Sequence, residues 1–209
     1  MTDLLAAIRG ERDADVPCAG CTACCRSSQF VHIAPDETET LGHIAPALLF
    51  PAPRLPPGHV VLGYDEQGHC PMLTDGRCSI YAYRPRTCRT YDCRVFAAAD
   101  VYDDGKPLIE RRARRWRFNY PSAADRAEHG AVRAAAAFLH RRSARSSEWR
   151  VPTDVARLAA LAIEVHGLFL DGDDGSDPAV VARPDPEAVR VAITRRTGSR
   201  GAGSGHRQR

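Results

Sequence analysis

Cysteine is the residue type in this chain best suited to chemistry, and all eight cysteines lie between Cys18 and Cys93. Four come early, as Cys18, Cys21, Cys24 and Cys25, and four late, as Cys70, Cys78, Cys88 and Cys93. Thiolates are the metal-binding form of cysteine, and four in a tetrahedron suit zinc, or iron in a sulfide cluster. A Cys-x2-Cys spacing makes a half-site because a short turn points both sulfurs inward. Two such half-sites share Cys21, so Cys18, Cys21 and Cys24 read as three convergent ligands. Their spacers Ala19, Gly20, Thr22 and Ala23 are small, and Gly20 can take a positive φ. The same spacing forms part of the bacterial ferredoxin run, which a further cysteine followed by proline completes. Pro71 follows Cys70, but Cys70 is remote from the trio, so zinc and iron–sulfur both stay open.

Compartment decides between metal and disulfide. Asp3 comes early and charges follow the short apolar run at once, so no secretory signal fits. No run of 18 apolar residues occurs, and no membrane span is expected. These features predict a cytoplasmic protein, where clustered cysteines serve metals rather than disulfides. Side chains of adjacent residues tend to diverge, so Cys24 and Cys25 are expected to serve different ions. One arrangement joins Cys70 to the early trio and leaves Cys25 with Cys78, Cys88 and Cys93. A hairpin would bring Cys70 and Cys78 together and make the two interchangeable.

The elements that must position these thiols are short. A helix is expected over residues 2–9, a strand over 29–33, a helix start at Pro35–Leu41 and a strand over 60–64. Prolines 46, 51, 53, 56 and 57 predict a loop with little regular structure. Asp75-Gly76 between two short apolar runs signals a hairpin. Arg84-Pro85 opens a short helix carrying Cys88, with Cys93 near its end. The second half reads as helical. Ser122 to Asp125 resembles a capping box before an alanine-rich helix over 127–140 that Gly130 interrupts. Thr153 is placed as the cap of an amphipathic helix over 154–169. Residues 171–178 read as a loop lacking the ligands of a calcium site, and a last helix is expected over 186–196. The fold class is α+β: a small irregular cysteine-rich metal-binding domain with short strands, packed on a helical C-terminal region. Expected boundaries are 1–13 for the N-terminal helix, 14–98 for the metal domain, 99–197 for the helical region and 198–209 for a disordered basic tail.

The cysteine set, with Cys70-Pro71, Ile80-Tyr81, Arg84-Pro85 and Cys88-Arg89 between its members, resembles the CxxCxxCC (YkgJ-like) zinc- or iron-chelating family over about residues 18–95. The resemblance implies a metal site and no settled reaction. It implies that all eight cysteines are metal ligands and that the cofactor is an iron–sulfur cluster or Zn2+.

Eight thiolates around two zinc ions would keep a net negative charge. Arg77, Arg84, Arg86, Arg89 and Arg94 surround the late cysteines, and such guanidinium groups can offset charge and donate to sulfur. Arg84 and Arg89 are the members placed around the cofactor. His32 and His69 are weaker ligand candidates, and Tyr81, Tyr83 and Tyr91 read as supporting aromatics. Between Arg111 and Arg150 eleven arginines stand against Asp125, Glu128 and Glu148, while Lys106 is the chain's single lysine. The Arg111–Arg117 run with Phe118 and Tyr120 could bind single-stranded nucleic acid. The favoured reading packs its aromatics inward and leaves the arginines in water. The leading expectation is a cytosolic metalloprotein with a redox or protein-modifying role, such as an iron–sulfur oxidoreductase. Its partners are metal ions and conceivably a protein, with neither nucleic acid nor membrane expected. The alternatives are a zinc-stabilised binding module using the Arg111–Arg117 region, and metal storage or delivery.

Overall fold

A computed structural model describes residues 20–102, 105–143, 149–170 and 184–202. The expected helix over 2–9 and the loop over 171–178 lie outside these residues. The fold is α+β, and the chain divides into two compact units. A cysteine unit holds residues 20–93 and 105–115 of those described, and a helical unit holds 94–102 and the described residues from Trp116 onward.

The cysteine unit opens on a 3-10 turn, Cys24–Arg26. Strand β1 (Val31–Ile33) and helix α1 (Thr38–Gly42) follow. The proline-rich stretch was expected to be irregular, but it contains a 3-10 turn at Pro46–Leu48 and strand β2 (Leu49–Pro51). The sheet order β1-β3-β2 explains why proline is tolerated, because β2 is an edge strand and need not donate from every residue. Strand β3 (Val60–Leu62) is central and pairs antiparallel with both neighbours, placing Leu62 opposite Val31 and Leu49. Val31, Ile33, Ile44, Leu62 and Ile80 form the small buried core, with Cys70, Cys78 and Cys88 packed on its margin. Strands β4 (Leu73–Thr74) and β5 (Arg77–Cys78) make the expected hairpin. Its turn residues Asp75 and Gly76 both take positive φ, 51° and 73°, the type I′ signature of an Asp-Gly turn. Helix α2 (Arg86–Thr90) then carries Cys88.

Helix α3 (Arg94–Ala99) belongs to the helical unit, and α4 (Pro107–Ala113) belongs to the cysteine unit. Helix α5 (Ala123–Ser143) runs unbroken through Gly130. Its capping box forms as read: the Asp125 amide donates to Ser122 Oγ, and the Ser122 amide donates to the Asp125 carboxylate, each at 3.1 Å. Helix α6 (Val155–Val165) is capped by Asp154 rather than Thr153, because the Asp154 carboxylate accepts from the Arg157 amide at 2.8 Å. Helix α7 runs from Pro186 to Ala202, past Gly198, where the sequence predicts a tail. Fully buried Ala131, Ala135, Ala136, Ala159 and Ala162 let α5 and α6 approach closely, while Leu139, Ile163 and Phe169 fill the space between them.

His129 lies buried on α5 and shares a short hydrogen bond at Nδ1 with the Tyr120 hydroxyl, while Phe118 meets its ring edge-on. Burial, with Arg133 nearby, pushes its pKa below the usual 6.5. A depressed histidine favours the fold while neutral, so its contribution is complete above about pH 6.5 and is lost as pH falls through the folded value. The helical unit should therefore melt at progressively lower temperature below about pH 6.5. His129→Gln should flatten that dependence in a thermal melt followed at several pH values, and an unchanged slope would discount the histidine.

Candidate metal centre

Seven of the eight cysteines are described, all as half-buried thiols, while Cys18 lies outside the described residues. Two stretches distant in sequence are tied together by backbone hydrogen bonds. The Cys70 amide donates to the Cys25 carbonyl at 2.7 Å, and the Ser28 amide donates to the Gly68 carbonyl at 2.9 Å. Position 68 needs glycine: its φ is +79°, and a Cβ there would sit 2.3 Å from Ser28 Oγ. The preceding Asp65 loop is closed by its own carboxylate, which accepts from the Gln67 and His69 amides at 3.0 and 2.7 Å. This loop delivers Cys70 to the early cysteines. The β4–β5 hairpin delivers Cys78 to the same side, since Cys78 pairs with Leu73.

Helix α2 brings the fourth thiol, and three bonds fix it. Thr87 Oγ1 donates to the His32 carbonyl on β1 at 2.7 Å. The buried Glu37 carboxylate accepts from the Ala34 amide at 2.9 Å through Oε1 and from the Arg86 amide at 2.5 Å through Oε2. Arg86 is the first residue of α2, so a side chain 49 positions earlier satisfies an otherwise orphaned helix N–H. The Arg86 side chain turns outward to Asp36 at 2.7 Å, an exposed pair that lowers the Asp36 pKa and raises that of Arg86.

Cys25, Cys70, Cys78 and Cys88 consequently share one neighbourhood. Burial pushes the Cys88 thiol up to about 12, and Cys70, Cys25 and Cys78 add to the rise by electrostatic repulsion. Cys70 is raised for the same first reason, with Cys78 and Asp65 contributing. Arg84 works the other way on Cys88. Its guanidinium is buried, donates from Nε to the Tyr81 carbonyl at 3.0 Å and lies 3.8 Å above the centre of the Tyr81 ring. Among the described residues, no three Cys, His, Asp or Glu side chains stand together as a finished metal-binding set. The chemistry of the donors nevertheless fits a thiophilic ion, because thiols from separate chain segments share one neighbourhood and one of them, Cys88, feels the Arg84 charge.

The other residues singled out by sequence lie elsewhere. Arg77 and Arg89 are exposed, and the Arg94 guanidinium lies 5.8 Å from the centre of the Trp116 ring. The His32 Nε2 meets His59 Nδ1 at 2.9 Å, and His69 contributes its backbone amide to the Asp65 loop. Tyr81 serves as the Arg84 platform, while Tyr83 stacks on His43 with ring centres 3.7 Å apart. In the basic region Phe118 packs on the helical core and Tyr120 bonds to His129, whereas Arg111, Arg114, Arg115 and Arg117 are exposed. Sequence reasoning missed Glu37 and Lys106. Nothing local marks Glu37, and the one signal for Lys106, its being the single lysine, gave it no role in the sequence reading.

These features define a thiol-rich α+β metal-binding module. Residues 17–107 match the CxxCxxCC family model, described as "Putative zinc- or iron-chelating domain". The match covers every cysteine and ends just after Lys106. Comparison with curated proteins and with solved structures gave no match. Among the described residues no helix is long and apolar enough to cross a membrane.

Proposed function

We propose that the cysteine unit holds zinc or iron in two thiolate centres and acts as a metal-dependent module in a reducing, cytoplasmic setting. Cys25, Cys70, Cys78 and Cys88 form one centre. Cys18, Cys21, Cys24 and Cys93 remain for the other. The observation that carries this reading is the packing of Cys70, Cys78 and Cys88 on one small core, with the Cys70 amide bonded to the Cys25 carbonyl. This partition keeps Cys24 and Cys25 on separate ions, but moves Cys70 away from the early trio and Cys93 away from the late set. A bound zinc or iron centre would supply a cross-link between segments, and in an iron–sulfur form also electron storage. Arg84 would offset the negative charge of the loaded thiolates and donate toward sulfur, while the hydrogen bonds of Glu37 and Thr87 hold Cys88 in reach. Arg89, exposed on the last turn of α2, would add at most a screened charge.

Elemental and sulfide analysis of anaerobically purified full-length protein tests the reading. A brown protein with acid-labile sulfide indicates iron–sulfur, and a colourless protein with stoichiometric zinc indicates the structural form. Cys88→Ser should remove about half of the bound metal, and Cys21→Ser should remove the other half. Absence of zinc and iron after reconstitution would end the proposal, and equal loss of all metal in both variants would replace two centres by one polynuclear centre.

A further inference from the structure

The chain carries 28 arginines but one lysine, and that lysine is built into the cysteine unit. Lys106 Nζ donates to the Ser27 carbonyl at 2.7 Å and to the Ser28 carbonyl at 3.2 Å. These two carbonyls close the turn that carries Cys24 and Cys25. The Ser27 amide donates back to the Cys24 carbonyl at 3.3 Å, and Ser27 Oγ donates to the Ala23 carbonyl at 2.7 Å. Successive carbonyls of an extended chain point to opposite sides. Ser28 instead has φ of 50°, a left-handed conformation that side chains other than glycine rarely adopt. That kink lets two consecutive carbonyls converge on one donor, while the Ser28 amide stays bonded to Gly68 on the path to Cys70.

We propose that Lys106 is a positioning residue of the metal centre, holding the Cys24–Ser28 turn in the shape that presents its thiols. The inference rests on the metal-binding reading above. Lysine suits the place because an ammonium is a compact charge whose donors can diverge toward two oxygens, whereas a guanidinium is a larger planar fork. The backbone of Lys106 does separate work. Its carbonyl accepts from the Glu110 amide at 3.0 Å to begin α4, and buried Ile109 and Ala113 anchor that helix. The side chain is therefore tethered at its base by a packed helix and grips the cysteine turn at its tip. Removing the amine frees the turn without removing a thiol.

The test uses the full-length protein with Zn2+ and Co2+ as probes, beside Lys106→Met and Lys106→Arg variants. Lys106→Met should weaken zinc binding by about 10- to 100-fold, as loss of an outer-shell partner does elsewhere. It should also alter the cobalt–thiolate absorption bands, which a change in overall stability alone would not move. Lys106→Arg keeps the charge and should recover only part of the affinity. A second readout needs no variant. Acetylation of Lys106 by an active ester, located by mass spectrometry, should be slow in the zinc-loaded wild type and faster after chelation. Wild-type affinity and cobalt spectra in both variants would overturn the inference, as would full rescue by arginine or acetylation that ignores zinc. If wild-type protein takes up neither zinc nor cobalt, the metal-binding reading itself falls.

Discussion

Stripping metal from the full-length protein is expected to unfold the cysteine unit and leave the helical unit folded. The two units have separate cores of very different size. Among the described residues, five buried side chains, Val31, Ile33, Ile44, Leu62 and Ile80, make the core of the cysteine unit. The helical core contains sixteen, spread over α3, α5, α6 and α7 and the segment between α6 and α7. The strands of the cysteine unit are two or three residues long, and its segments are joined by loops. So little apolar burial cannot offset the conformational entropy of ordering that many residues. Structural zinc contributes on the order of 10–16 kcal/mol in small domains that depend on it. That term is large enough to decide whether this unit folds. Hydrogen exchange with and without chelator measures the result directly. Protection should vanish over residues 60–93 and persist over 123–143 and 155–165. Retained protection in both regions, with metal shown to be gone, would sink the prediction.

The sequence made the candidate ligands legible because cysteine clustering is a composition signal that survives without any knowledge of the fold. It made the hairpin legible for a local reason too, since Asp75-Gly76 alone can adopt the required pair of positive φ angles at low cost. The long helices of the second half were readable from their period and from the Ser122–Asp125 box. What escaped was whatever depends on distant pairing. β2 was hidden because prolines mask an edge strand that earns its regularity from β3. The cap of α6 shifted by one residue, from Thr153 to Asp154, since both residue types serve equally well and only the backbone decides. The grouping of the thiols could not be read from spacing, because the Cys70–Cys25 and Ser28–Gly68 backbone bonds that set it join segments about 40 residues apart. Glu37 and Lys106 escaped for the same reason, as each acts on a segment at least 49 positions away.

Glu37→Ala is expected to be the most damaging single change outside the cysteines. The Glu37 side chain is buried, and its two oxygens take the Ala34 and Arg86 amides. Truncation would leave both N–H groups without that acceptor, one of them at the start of α2. Hydrogen bonds to a charged group each contribute roughly 1.5–3 kcal/mol, and a buried donor left unmade costs a similar amount. A loss of about 3–5 kcal/mol is therefore expected for the cysteine unit. Glu37→Gln retains one carbonyl oxygen and should cost about half as much. The two variants separate a capping role from mere volume, since glutamine fills the same space but offers one acceptor in place of two. The consequence for the site follows from the place of Cys88 on α2, which would then be held chiefly by Thr87 Oγ1 on the His32 carbonyl. Zinc affinity should fall in the order wild type, Glu37→Gln, Glu37→Ala, while hydrogen exchange over 123–143 and 155–165 stays unchanged. A Glu37→Ala protein that binds zinc like wild type and melts at the same temperature would show that α2 keeps its position without the Glu37 carboxylate.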